Sequence, residues 1–150
     1  ITIEEFKKKQ TSKTRLIGLD LGSKRIGISI CDEKQSIATP FKTINRINTS
    51  ELVNELKEII RENNIKGIVI GNPINMDGTS GSSAQSVKDI STNISQFIDL
   101  PVFLWDERLS TVGAFNLSSQ LDVNISKKIK KIDENAAAFI LQGAIDYLNN

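Results

Sequence analysis

The stretch RLIGLDLGSKRIGISIC, Arg15 to Cys31, is where the fold is decided. Leu16, Ile17, Leu19 and Leu21 lead into a Gly-Ser-Lys turn at Gly22 to Lys24, and Ile26, Ile28 and Ile30 alternate with other residues beyond it. Apolar alternation on both sides of a glycine turn predicts a β-hairpin. A third strand is expected over Ser36 to Phe41, after a turn at Asp32 to Lys34.

Downstream the period changes. Leu52, Val53, Leu56, Ile59 and Ile60 recur at helical spacing, with Asn48, Thr49 or Ser50 available as N-cap, which predicts a helix over 50–63. Gly67 to Ile70 is a short continuous apolar run, the pattern of a strand buried on both faces of a parallel sheet. Asn72 to Ser83, rich in Asn, Gly, Ser and Pro, reads as a loop longer than most connections. A second helix carries Val87, Ile90, Ile94, Phe97 and Ile98 on one stripe, and Val102 to Trp105 forms another strand that ends in Asp106 and Glu107. A short helix over 110–121, a Lys-rich loop and a last helix follow. That last helix opens at Asp133 and buries Ala136, Ala137, Ile140, Leu141, Ala144, Ile145 and Leu148.

The order βββαβαβαα predicts an α/β fold: a five-stranded mixed sheet, three antiparallel strands and then β-α-β crossovers, with helices on both faces. Its 150 residues suit one domain over 15–150, preceded by a polar, Lys-rich segment 1–14 that reads as a frayed tail or one short helix.

Composition narrows the chemistry. The chain has no histidine, which excludes Ser-His-Asp and Cys-His units and the imidazole ligands of most zinc sites. Hydrolysis would have to rest on carboxylates, hydroxyls, lysines or a hard cation. Cys31 has no partner for an internal disulfide and lies in an apolar run, which reads as a core thiol in a reducing, cytoplasmic setting. No apolar run approaches the ~20 residues of a membrane helix, so no membrane role is expected. The first residue is not methionine, which points to a trimmed or processed start, and no signal-peptide pattern is present. Net charge is only +1, but Lys7, Lys8, Lys9 and Lys13 cluster near the start and Lys127, Lys128, Lys130 and Lys131 before the last helix.

Three acids stand at element ends: Asp20 closes the first strand, Glu107 follows the last, and Asp133 opens the final helix. If the first and last parallel strands are neighbours, Asp20 and Glu107 come within a few ångströms, since strands pair at ~4.8 Å, and a helix across that edge could bring Asp133 to the same point. Three carboxylates in one pocket repel unless a divalent cation neutralises them. Oxygen-only ligands favour one or two Mg²⁺ or Mn²⁺ ions, which can activate water against a phosphodiester. Each acid also has a plain reading: Asp133 as a helix cap, Asp20 as part of the hairpin, and Asp106 with Glu107 as a strand end in solvent.

DLGSKRIG (Asp20 to Gly27), GNPINMDGT (Gly71 to Thr79), DERLST (Asp106 to Thr111) and DENAAAFILQ (Asp133 to Gln142) together resemble the YqgF (RuvX) family of ribonuclease H-like proteins. The resemblance covers nearly everything from Arg15 to the C-terminus. It implies a ribonuclease H-like fold and a metal-dependent nuclease, with the family's acidic positions on Asp20, Glu107 and Asp133. It also implies maturation of the 5′ end of precursor 16S ribosomal RNA; the family was earlier labelled Holliday junction resolvases by structural similarity. One departure is Asn72, where the family usually has an apolar residue between glycine and proline.

The remaining motif residues have assignable roles. Gly22 suits a tight turn or close approach to a phosphate. Lys24 and Arg25 sit on that turn and are candidates for the nucleic-acid backbone, Arg108 for a phosphate or a carboxylate buttress, and Lys127, Lys128 and Lys130 for a flexible basic strap above the pocket. Asn75, Asp77 and Gly78 belong to a loop beside the site, although Asp-Gly is also an ordinary turn signal. Aromatic residues make up only 5%, which argues against extensive base stacking and for recognition of backbone and shape, as in structured RNA. The expectation is a hydrolase acting on ester bonds of nucleic acid, RNA rather than DNA, as a monomer or weak homodimer. The alternatives are a DNA junction resolvase, a non-catalytic nucleic-acid-binding module of ribosome assembly or transcription, and a nucleotide-binding lobe related to actin and sugar kinases, suggested by Asp20, Gly22, Ser23 and Gly27.

Overall fold

The computed structural model describes residues 1–22, 24–45, 47–73, 81–106 and 125–150, with 82–83 and 125–134 described by backbone alone. Its elements are α1 (Ile3–Lys9), β1 (Ile17–Leu21), β2 (Arg25–Cys31), β3 (Ala38–Asn45), α2 (Thr49–Asn63), β4 (Ile68–Asn72), α3 (Ser82–Phe97), β5 (Val102–Asp106) and α4 (Ile125–Asn149). The five strands form one sheet in the order β3-β2-β1-β4-β5. β2 runs antiparallel to both β1 and β3, whereas β1, β4 and β5 are parallel. The hairpin and the mixed sheet read from the sequence are both present. One premise is not: β4 lies between β1 and β5, so the strands of Asp20 and Glu107 are not neighbours.

The pleat sorts the sheet residues onto two faces. Ile17, Leu19, Ile26, Ile28, Ile68, Ile70 and Val102 pack with Leu52, Leu56 and Ile59 of α2 and Val87 and Ile94 of α3. Leu16, Cys31, Val69, Phe103 and Trp105 turn the other way, onto Ile140, Leu141, Ala144 and Ile145 of α4 and Ile3 and Phe6 of α1. Helices therefore cover both faces.

Local chemistry sets the element ends. Residues 3–9 form the short helix. Thr2 caps it by accepting from the Glu5 amide at 3.1 Å, and acidic Glu4 and Glu5 and basic Lys7 to Lys9 oppose its dipole. Asn48 is the N-cap of α2, its Oδ1 accepting from the Glu51 amide at 2.8 Å, and Asn64 ends that helix in the left-handed region at φ 54°. The third strand starts later than the sequence predicts because Asp32 accepts from the amides of Ser36 at 2.7 Å and Ile37 at 2.9 Å, holding the chain in a turn until Ala38. It then runs to Asn45, with a register shift opposite Ile28 and Ser29 where Pro40 lacks an amide proton.

Two helix readings need correction. Phe97 is 60% exposed, because Val87, Ile94 and Ile98 occupy the buried stripe of α3 and Phe97 lies to its side. The last helix begins at Ile125, so Asp133 stands in its third turn rather than opening it, and Lys127 to Lys131 are helical rather than part of a loose strap. Ile125, Ile129 and Ile132 continue the helical period backward and lysine is a good helix former, which together carry the helix through this segment. Along its buried side Ala138 takes the place expected of Ala136. The helix expected over 110–121 lies outside the described residues.

Candidate functional site

Asp20 is the fourth residue of β1, near its carboxyl end, and the pleat directs it to the same face as Leu16 and Gly18, the face covered by α4. Its cross-strand partner on β2 is Gly27. On the other side, Leu19 pairs with Ile70, so the next residue of β4, Gly71, stands level with Asp20, and Gly71 pairs in turn with Trp105 of β5. Both strands flanking Asp20 thus carry glycine at its level. This partly offsets the strand order. Although β4 separates β1 from β5, a gap of roughly 10 Å at ordinary strand spacing, Gly71 puts no side chain into the space between them on the α4 face. Trp105, also on that face, packs against Tyr147 of α4 in a tilted arrangement, with ring centroids 6.2 Å apart.

The direction of α4 follows from its contacts. Asn149, near its end, donates to the Gln35 carbonyl at 2.7 Å, and Gln142 accepts from the Ala38 amide at 2.9 Å; both lie toward the start of β1 and the end of β2. Ala137 lies at Gly18 and Ser29. The helix therefore runs antiparallel to β1, and its earlier residues lie toward Asp20. Position 133 is one helical turn before Ala137, about 6 Å along the axis, and Asp20 is two residues beyond Gly18, about 6.7 Å along the strand. The two positions are matched in level by backbone register alone.

The side chain of Asp133 and the whole of Glu107 and Arg108 lie outside the described residues, as do Asn75, Asp77 and Gly78. Among the described residues no three of Asp, Glu, Cys or His gather into a metal-binding group. Lys24 and Arg25 are exposed at the β1–β2 turn, at the Asp20 end of the sheet. Lys127, Lys128 and Lys130 occupy the first turns of α4, which extends past Asp20 toward the same end; their side chains are outside the described residues. Gly22 is explained by backbone packing, since a Cβ there would stand 2.6 Å from the Arg25 carbonyl oxygen. Cys31 is free and buried, its Sγ 3.2 Å from the Leu16 amide, and burial pushes its thiol pKa up, as a core thiol requires. Gly71, Gly18 and Ser29 are the residues sequence reasoning did not single out. Glycine inside a strand was the available signal, because it marks a place where something approaches the backbone closely.

Comparison with known proteins agrees with this fold. Residues 14–147 match a family model described as RuvX, Holliday junction resolvase. A Pelagibacter ubique protein named "Putative pre-16S rRNA nuclease" is 75% identical over 150 residues, covering 100% of this chain and 99% of the relative. A Cereibacter sphaeroides protein of the same name is 43% identical over 148 residues, 99% of this chain and 92% of its own length. Among solved structures, Thermus thermophilus RuvC in complex with a Holliday junction substrate aligns with a TM-score of 0.54 at 9% identity, over 89% of this chain and 94% of that one. The yeast mitochondrial Holliday junction resolvase Ydc2 aligns with a TM-score of 0.52 at 11% identity, over 98% and 84%. At such identities the structural likeness speaks for the fold, a five-stranded mixed sheet of the ribonuclease H-like kind, whereas the match along nearly the whole sequence decides the family. This chain belongs to the RuvX family, a family of nucleases.

Proposed function

We propose that this protein is a metal-dependent nuclease that hydrolyses phosphodiester bonds in the 5′ region of precursor 16S ribosomal RNA, in the cytoplasm. The observation that carries the reading is Asp20, set on the α4 face between Gly27 and Gly71 and level with helical position 133. The near full-length match to relatives named for pre-16S rRNA supports the substrate.

Asp20, Glu107 and Asp133 are the residues we assign to hold one or two Mg²⁺ or Mn²⁺ ions. An all-carboxylate donor set in a chain without histidine suits hard cations. Such ions, when bound, lower the pKa of a coordinated water and offset charge on the phosphate. The chain's own contribution is positional. The pleat fixes Asp20 to one face, glycines at 27 and 71 put no side chain level with it, and the hairpin turn holds the exposed Lys24 and Arg25 at the same end of the sheet, where they can meet a sugar-phosphate backbone. In the reaction a water oxygen bonds to phosphorus as the bond to the leaving oxygen breaks, and the proton lost by water is matched by one gained at the leaving group. Arg108, Lys127, Lys128 and Lys130 are assigned to further phosphates, and Asn75, Asp77 and Gly78 to the loop at the site's edge.

The test is cleavage of a 5′-labelled precursor 16S transcript in Mg²⁺ by the wild-type protein and by Asp20→Asn. Loss of about a thousandfold or more with an unchanged circular dichroism spectrum is expected, the scale of removing a principal electrostatic contributor. Full cleavage by Asp20→Asn would overturn the assignment. A four-way DNA junction in parallel tests the second reading, favoured by the family description and the RuvC fold. Paired resolution requires a dimer, so sedimentation at the assay concentration separates the two: a monomer that cuts the transcript supports the RNA reading.

A further inference from the structure

We propose that Ser29 is a positioning residue that sets the separation between Asp20 and helix α4, and through it the geometry of the carboxylate site; this rests on the assignment of Asp20 and Asp133 above. Ser29 is a polar residue with no exposed surface, on the face where the apolar cluster under α4 packs. Its hydroxyl donates to the Ala137 carbonyl of α4 at 2.7 Å, while the Gly18 carbonyl lies at 3.5 Å. A hydroxyl has one proton to give, and the shorter contact takes it.

The contact is possible because residue 18 has no side chain. A Cβ there would lie 2.5 Å from Ser29 Oγ, 2.8 Å from Leu141 Cβ and 3.0 Å from the Ala137 carbonyl oxygen. Real side-chain atoms do not sit at such separations, so any larger residue at 18 would lift the helix or evict the serine. Gly18, Ser29 and Ala137 thus form a point of close approach between α4 and the β1–β2 hairpin. A buried apolar contact would hold α4 against the sheet but leave it free to slide by a fraction of an ångström. A directional hydrogen bond to one carbonyl fixes translation along the axis as well.

The location gives the bond its functional reach. Gly18 is two residues before Asp20 on the same face, and Ala137 is one turn after position 133 on the same helix. A small shift of α4 at Ser29 is carried along rigid secondary structure to both positions. Hard divalent ions tolerate little error in oxygen spacing, so it would be read as weaker metal binding before it is read as unfolding.

The protein's single tryptophan, Trp105, lies on the same face at the neighbouring edge and serves as a sensitiser for Tb³⁺, a hard oxygen-seeking ion. Titration of the full chain with Tb³⁺, read by luminescence on tryptophan excitation, is compared for wild type, Ser29→Ala, Ile145→Val and Asp20→Asn. Ile145→Val loosens the far half of α4 and controls for general destabilisation. We expect Ser29→Ala to weaken Tb³⁺ binding about tenfold and to raise the Mg²⁺ needed for half-maximal cleavage in parallel, with Ile145→Val within about twofold of wild type. Wild-type affinity in Ser29→Ala, or equal losses in Ser29→Ala and Ile145→Val, overturns the proposal. Unchanged affinity in Asp20→Asn would instead overturn the site assignment. Should Ser29→Ala not fold, Ser29→Cys, which nearly keeps the volume and replaces the strong donor by a weak one, takes its place with the same outcomes.

Discussion

Two aspartates twelve residues apart show how the same side chain does different work. Asp32 is spent on its own turn, accepting from the Ser36 amide, the Ser36 hydroxyl and the Ile37 amide, and these donors hold its carboxyl well below the usual carboxylate range. The sign of its pH effect follows. Because the folded pKa is depressed, its contribution to stability is complete above the unfolded value near ~4 and is lost as pH falls through the folded one. Asp32→Ala should therefore lower the urea midpoint at pH 7, with the gap to wild type narrowing by pH 2. A constant gap would show that the charge of Asp32 has no part in holding the turn. Asp20, in contrast, stands between two glycines in a sheet whose neighbouring faces are packed with isoleucine and leucine. Both were visible in the sequence as acids after an apolar run; that Asp32 forms a turn shows only in the donors gathered around it.

At the scale of elements, strand β4 is the least conspicuous and the most consequential. Its sequence, Ile68 to Asn72, reads as a generic buried strand, yet it lies between the two strands that carry Asp20 and lead to Glu107. Were residue 71 anything but glycine, its side chain would stand on the α4 face between them. Gly71→Val should cut cleavage about a hundredfold or more, the penalty of misplacing reacting groups by an ångström, with the circular dichroism spectrum kept; because Gly71 is buried, the added side chain also lowers the melting temperature, and cleavage is compared well below it. Activity within a fewfold of wild type would show that the site does not span β4. The caps offer an independent check on local reading. Asn48→Ala should cost α2 about 1 kcal/mol by urea unfolding, the usual worth of an N-cap side chain, without altering cleavage, since α2 lies on the opposite face.

On the scale of the whole molecule, charge is distributed rather than accumulated. A net charge of +1 gives no general attraction for a polyanion, yet Lys24 and Arg25 and the lysine-rich start of α4 lie toward the end of the sheet that holds Asp20. Acidic Glu51, Glu55 and Glu58 line α2 on the opposite face, where Glu55 pairs with Lys42. Among the described side chains, a nucleic acid meets basic Lys24 and Arg25 at the Asp20 end of the sheet and acidic α2 on the opposite face. Reversing Lys24 and Arg25 to glutamate together should weaken binding of an RNA duplex and lower the slope of log affinity against log salt by about two, near one for each phosphate no longer neutralised. An unchanged slope would place the cations that meet the phosphates elsewhere on the protein.

The sequence alone determined what local forces decide. Alternating isoleucines around a glycine turn made the β1–β2 hairpin, the spacing of Leu52 to Ile60 behind Asn48 made α2, and the absence of histidine excluded imidazole chemistry. These depend on neighbours within a few residues, so they are readable along the chain. Strand order is another matter, because nothing in Val102 to Asp106 says whether β5 will pair with β1 or with β4. The extension of α4 back to Ile125 was also obscured, since its lysines match a solvated loop as readily as a helix. Tertiary structure decided the rest: that β4 intervenes, that Gly71 stands level with Asp20, and that Gly18 and Ser29 let α4 pack closely on β1 and β2. Such choices turn on interactions such as that of Ser29 with Ala137, 108 positions apart, whose energies exist only once the layers have closed.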